Sequence, residues 1–259
     1  MINIFIAVFL FIILLIYSIF FRINEGFSNK TNQLIVKPRI AVYSYNFGNF
    51  RGELNRDLDN FKNYPELDYY LFTDQDDIKS EKWKVVKVKL QPRTKHMNAN
   101  RVTSKYFKWK HIPKELDGYD YLVHIDAGRM RYLNNFSYDK YLELINTNKN
   151  YSFIGRDHPF LKSVYDECKH VLKVKCDYDN NVIRWENKLK KENFKQNIQH
   201  IETCFFIRNL KDTELTRNLG KVFDAVMKNE LCRDQLVFLY TLQQNNYNKI
   251  TTVKGFSIK

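Results

Sequence analysis

A carboxylate ends one of the best strand candidates in this chain. Tyr119 to Asp126 reads YDYLVHID, and the small pair Ala127-Gly128 follows it. A strand-end acid next to small residues is placed to hold a divalent cation while the backbone lets a ligand approach. A leaving diphosphate calls for such a cation, because negative charge builds on it as its bond breaks. The triplet Asp126-Ala127-Gly128 holds only one acid, so His124 is the candidate second ligand. The competing reading of Asp126 is a strand-end aspartate that caps a turn.

Cations follow the same logic. Arg101, Lys105 and Lys108 stand at i, i+4 and i+7 and so share one helix face, where they could clamp a diphosphate. A basic face in water is the commoner outcome of such spacing. Two further carboxylates sit beside predicted elements. Glu202 precedes the strand Cys204–Arg208, and Asp234 lies in Arg233-Asp234-Gln235, which opens a helix. Either acid could take a proton from an acceptor hydroxyl or hold a sugar hydroxyl. Asp234 equally suits a helix N-terminus as a charge partner.

In open α/β sheets, ligands bind at the carboxyl ends of the strands. Those ends carry Tyr45-Asn46, Thr73-Asp74, Asp126 and Arg208. Tyr43 could stack on a base or pack in the core. His158, before Pro159, could line a pocket, although a lone histidine is more often structural. The chain has no GxSxG, HExxH, P-loop or GxGxxG, which removes the usual signatures of hydrolase triads, zincins, P-loop NTPases and dinucleotide-binding dehydrogenases.

These residues need elements to hold them. Strands are predicted at Arg39–Asn46, Asp68–Asp74, Trp83–Leu90 (near an edge, because its lysines alternate with apolar residues), Tyr119–Asp126, Ser152–Gly155 and Cys204–Arg208. Helices are predicted at Arg101–His111, around Tyr138–Ile145, behind an Asp212 N-cap, and at Asp234–Gln244. Strands alternating with helices predict an α/β domain with a mostly parallel sheet covered on both faces. With 259 residues, of which 44% are apolar, the chain has ample material for one such core.

The net charge of +13 suits phosphates of a small ligand, an anionic membrane face or nucleic acid, and does not choose among them. Cys168, Cys176, Cys204 and Cys232 show no metal-ligand spacing. A Cys168–Cys176 pair and buried free thiols both remain open.

Ile4 to Phe21 is an unbroken run of 18 residues whose only polar members are Tyr17 and Ser18. As a helix it spans roughly 27 Å, about the thickness of bilayer hydrocarbon. It has no basic leader and no small-residue cleavage site, so the expectation is an uncleaved anchor. The expected organisation is a tail at 1–3, an anchor at 4–21, a stem at 22–38 and one catalytic domain at 39–259. Arg22, Lys30, Lys37 and Arg39 favour a cytosolic C-terminal side, whereas sequons at Asn29 and Asn135 would be usable only in a lumen. The side of the membrane stays open.

In order along the chain, IAVYSYNFGNF, YLFTD, the Arg101–Lys110 helix, YLVHIDAGRM, RDHPFLKSVYDE, ETCFFIR and RDQLVFLYTLQ resemble one family. It is the glycosyltransferase-like domain of plant Golgi mucilage-biosynthesis proteins and their microbial relatives, itself similar to metal-dependent GT-A transferases. The resemblance covers nearly all of the soluble part and implies a GT-A-like fold and a nucleotide-sugar donor with Mn²⁺ or Mg²⁺. It implies a glycan, lipid or protein acceptor; the run at 4–21 adds the expectation of a single-pass membrane setting (endomembrane if eukaryotic), and no nucleic-acid partner is expected. It places Asp126 at the metal or diphosphate position and puts Glu202, Arg208, Arg233, Asp234, Gln235 and His158 in its motifs. Two rival readings are a membrane-lipid hydrolase or amidase, which lacks a recognisable nucleophile, and a non-catalytic basic module tethered to a membrane.

Overall fold

The computed structural model describes residues 37–254. The expected anchor at 4–21 and most of the stem lie outside them. Among the described residues, no helix is long and apolar enough to cross a membrane.

The chain enters a seven-stranded sheet at β1, Ile40–Asn46, where every side chain but that of Tyr45 is buried. A short helix α1, Glu53–Asp57, leads to β2, Asp68–Thr73, and then to β3, Lys84–Lys87. β3 is shorter than the expected Trp83–Leu90, but it does lie at one edge of the sheet, with Lys84 and Lys87 exposed.

Helix α2, Ala99–Lys105, starts at Asn98, whose side chain accepts from the Arg101 N–H. A single helix was expected through His111. Instead the last turn widens into a π-helix, Tyr106–Lys110, which buries Phe107, Lys108 and Trp109 together. Strand β4, Tyr121–Ile125, runs into 3₁₀ turns over Ala127–Asn135 and then α3, Tyr138–Thr147. β5 covers Phe153–Asp157 and is followed by α4 (Val164–Val174), whose end falls between Cys168 and Cys176, and by α5 (Asp179–Lys191), which was not anticipated from the sequence. β6 is Ile201–Asn209, and α6 is Thr213–Asn229 behind the expected Asp212 cap. α7, Gln235–Gln244, and an unanticipated short strand β7, Ile250–Val253, complete the described chain.

The strand order is β3-β2-β1-β4-β6-β5-β7. β1 is parallel to β2 and β4, β2 to β3, and β5 to β7, while β6 is antiparallel to both β4 and β5. The sheet is therefore mostly parallel, with one reversed strand near its centre. Its two faces carry separate cores. On one, Trp109 stacks on Phe206, which stacks on Phe153, at ring separations of 5.3 and 4.9 Å. On the other, Val123, Ile125 and Phe205 meet Met130, Tyr141 and Ile145. Burial of each such large side chain contributes roughly 1.5–3 kcal/mol.

Two glycines are required where they stand. Gly48 closes the turn after β1 at φ +65°, and a Cβ there would collide with the Asn100 amide. Gly155 marks the register shift between β5 and β6, where a Cβ would come within 2.8 Å of Ile201. All four cysteines are free, Cys176 exposed and the others buried.

The reversal of β6 corrects one expectation. Arg208 lies at the carboxyl end of its strand, but it pairs with Leu122 near the start of β4, so it belongs to the edge opposite Asp126. The residues that β6 brings to the Asp126 edge are those at its beginning, Glu202 to Cys204.

Candidate active site

Four segments meet where β4 ends. The Asp126 N–H donates to the Cys204 carbonyl at 2.9 Å, which joins the end of β4 to the start of β6. The π turn and the N-terminus of α7 close in from the sheet face that Trp109 covers. Lys105 Nζ donates to Asp234 Oδ1 at 2.8 Å, and Trp109 Nε1 donates to Asp234 Oδ2 at 2.8 Å. Lys108 Nζ stands between two acids, 3.5 Å from Asp234 Oδ2 and 3.6 Å from Asp126 Oδ1, and donates to Thr203 Oγ1 at 3.2 Å. Asp126 opens this cluster to the outside. Its side chain is 42% exposed, against 4% for Lys108 and 3% for Asp234.

His124 Nε2 is 3.0 Å from Asp126 Oδ1. A carboxylate only accepts, so Nε2 carries the proton and Nδ1 is bare. Burial pushes the His124 pKa down to about 4, which keeps the ring neutral. Burial alone would raise the Asp126 carboxyl, but the Lys108 charge and the His124 hydrogen bond hold it well below the usual range. Burial likewise opposes ionisation of Asp234 and loses to Lys105 and Lys108. Lys105 is lowered by burial against the Asp234 charge, whereas in Lys108 the two acids outweigh burial and raise the pKa. The centre is an ionised network of two ammoniums and two carboxylates.

A second network lies beside it. Glu167 of α4 is fully buried and takes Arg233 Nε at 2.7 Å on Oε1, His200 Nε2 at 3.3 Å and Gln235 Nε2 at 3.4 Å on Oε2. His158 accepts the Phe160 and Leu161 N–H groups on Nδ1, so its Nε2–H faces Glu167 Oε2 at 3.9 Å. The Glu167 knot ties β5, α4, β6 and the residues around Asp234 together. At the mouth, Glu202 Oε2 lies 2.6 Å from Arg156 Nη1, and Arg129 Nη2 lies 4.0 Å from Glu202 Oε1.

The residues selected from sequence thus separate. Asp126, His124, Lys105 and Asp234 form one cluster, with Glu202 at its rim; Arg233, Gln235 and His158 share the Glu167 knot. Arg101 is exposed one turn before Lys105, beside the Cys232 thiol rather than in the cluster. Asp74 accepts the Gly48 N–H at 2.8 Å and so holds the turn after β1. Tyr43 is fully buried between His124 and Arg208, which leaves no open face for a base. Both Asp234 oxygens are taken from within, Oδ1 by Lys105 and Oδ2 by Trp109, the arrangement of a charge partner.

Sequence reasoning placed Lys108 on the basic helix face but assigned no role to Trp109, Thr203 or Glu167. The helical spacing of Lys108 from Lys105 was the usable signal there, and the other three had none.

The residues present fit a divalent metal poorly. Asp126 Oδ1 is shared by His124 and Lys108, His124 spends Nε2 on Asp126, and its Nδ1 is buried. Any ion bridging Asp126 and Asp234 would have to displace the Lys108 ammonium. Glu53, against Gly128 and with its carboxyl raised by burial and by the Asp126 charge, is a further acid at the mouth. Among the described residues no three His, Cys, Asp or Glu side chains are grouped to hold a metal ion.

No family model matches the sequence and no curated protein matches it, so the likeness to the mucilage-biosynthesis domain stays a resemblance. Among solved structures, the chain is similar to the apo form of WbbM, described as a bifunctional glycosyltransferase, at 11% identity and TM-score 0.41 over 85% of this chain and 39% of that one. An active-site mutant of LgtC matches at 9% identity and TM-score 0.44, over 82% and 72% of the two chains. The glycosyltransferase GlyE of Streptococcus pneumoniae TIGR4 matches at 9% and 0.40, over 82% and 45%. The chain therefore spans less than half the length of WbbM and of GlyE.

Proposed function

We propose that this protein transfers a sugar from a nucleoside-diphosphate donor to a glycan, lipid or protein acceptor near a membrane. The observation that carries the reading is the convergence of two ammoniums, the buried Lys108 and the part-buried Lys105, on the strand edge that Asp126 opens to solvent. A mostly parallel sheet offers its ligand site at that edge. Fixed cations in a water-poor site stabilise charge that grows on a departing diphosphate, and they cost no reorganisation during the reaction.

In this reading the lysines face the diphosphate and Asp234 holds them in place. Asp126, kept ionised and oriented by His124, takes a sugar hydroxyl at the mouth. Glu202, held by Arg156 at the start of β6, accepts the acceptor's proton. Arg233 and Gln235 keep the α7 N-terminus in position through Glu167. The N-terminal run at 4–21 tethers the domain to its acceptor's membrane.

The test is nucleotide release by the full-length chain from a panel of UDP-, GDP-, ADP-, CDP- and dTDP-sugars. Release from at least one is expected. Release from none, with the protein folded, overturns the reading in favour of a binding module.

A further inference from the structure

Lys108 is an unusual residue to find in this position. Its ammonium is buried and lies nearly equidistant from Asp126 and Asp234, at 3.6 and 3.5 Å, with Thr203 Oγ1 at 3.2 Å as its hydrogen-bond acceptor. Both carboxylate distances exceed a good charge-assisted hydrogen bond. The ammonium is therefore caged by negative charge without being saturated by it, and can still turn an N–H toward an incoming oxygen.

We propose that Lys108 is the resident cation of this site: its ammonium meets the charge of the departing diphosphate, and donor binding needs no divalent metal. The inference rests on the nucleotide-sugar reading above. In the transfer step, the bond between the sugar C1 and the terminal diphosphate oxygen breaks, and its electron pair stays on that oxygen. The acceptor oxygen forms the new bond to C1 and gives up its proton to a carboxylate. The diphosphate gains one negative charge, and the Lys108 ammonium lies where Asp126 marks the site's opening. Three of the oxygens that a bridging ion would use are already engaged: Asp126 Oδ1 accepts the His124 Nε2–H, and the two Asp234 oxygens accept from Lys105 and Trp109. A divalent ion placed between them would stand against an ammonium in a poorly screened interior, and that repulsion is strong at 3–4 Å.

The experiment measures binding of UDP, GDP, ADP, CDP and dTDP to the full-length protein by calorimetry, in metal-stripped buffer with EDTA and again with Mn²⁺. At least one nucleotide should bind, with Kd values in the two buffers agreeing within about threefold. Lys108→Ala should weaken that nucleotide at least tenfold in EDTA. Because it empties the space between Asp126 and Asp234, it should also make binding respond to Mn²⁺. Lys108→Arg, which keeps the charge, should stay closer to the wild type, and circular dichroism checks that both variants fold. If EDTA abolishes wild-type binding and Mn²⁺ restores it, Lys108 is not the cation and the proposal falls while the nucleotide-sugar reading survives. If no nucleotide binds in either buffer, the reading itself falls and takes this inference with it.

Discussion

Lys105 Nζ and Asp234 Oδ1 lie 2.8 Å apart although 129 residues of chain separate them. The contact pins the end of α2 to the start of α7, and Trp109 reinforces it from the π turn. Charges brought this deep are costly to desolvate. They persist because each finds its opposite, so removing one partner costs more than the pair itself contributes.

Asp234→Asn should therefore destabilise the protein by about 3–5 kcal/mol, because it strands Lys105 and Lys108 without their shared carboxylate. Asp224→Asn removes the exposed partner of Lys110 and should cost less than about 1 kcal/mol. Urea unfolding at neutral pH compares the two. Equal losses would mean that Asp234 is as dispensable as a surface acid.

Asp126→Asn should reduce sugar transfer by at least ~10²-fold, the scale of losing a preorganised electrostatic partner. Its melting temperature should stay within a few degrees of wild type, because the side chain is part-exposed at the strand end. Asp120, at the other end of the same strand and bonded to the Arg39 N–H and Lys211, is the control. Asp120→Asn should turn over nearly normally. A fully active Asp126→Asn protein would remove Asp126 from the site.

His124 makes stability depend on pH in a defined window. Its folded pKa, about 4, is below the ordinary value near 6.5, so between these values the unfolded chain takes up a proton that the folded chain refuses. The contribution is complete above pH 6.5 and is lost as pH falls toward 4, by at most about 3 kcal/mol. Urea midpoints at pH 7, 5.5 and 4.5 should fall more steeply for wild type than for His124→Gln. Parallel curves would show that the ring titrates normally.

The N-terminal run calls for a separate measurement. The full-length chain should sediment with membranes and resist alkaline extraction, while a chain beginning near Asn32 should be soluble. A mature protein that starts near Arg22 would instead identify residues 4–21 as a cleaved signal peptide.

Much of the architecture was legible in the residues because burial writes itself into composition. β1, β2 and β4 are covered on both faces and so read as short apolar runs. β3, at an edge, keeps Lys84 and Lys87 exposed. Strand direction leaves no such mark. Nothing in ETCFFIR says that it runs backward, and Arg208 was consequently assigned to the wrong edge while Glu202 stands nearer the cluster. β7 escaped notice because it is short and three of its four residues are only half-buried. The lysines illustrate a different limit. Their spacing was plain, but whether a basic helix face meets water or Asp234 is decided by a residue far along the chain. Glu167 ends the RDHPFLKSVYDE segment, but nothing local marked it as a hub, since its partners His158, His200, Arg233 and Gln235 arrive from beside β5 and β6 and from the start of α7.

The reversed strand also governs the order in which a ribosome can finish this protein. β4 is complete at residue 125, but its neighbour β6 does not begin until residue 201. β5 emerges in the interval with neither of its own neighbours, β6 and β7, yet made. Nascent chains fold from the N-terminus, and an unpaired strand edge is a template for wrong partners. A ribosome paused between residues 126 and 200 therefore holds a β3-β2-β1-β4 sheet with an open apolar edge, and a Lys105 whose carboxylate has not yet been synthesised.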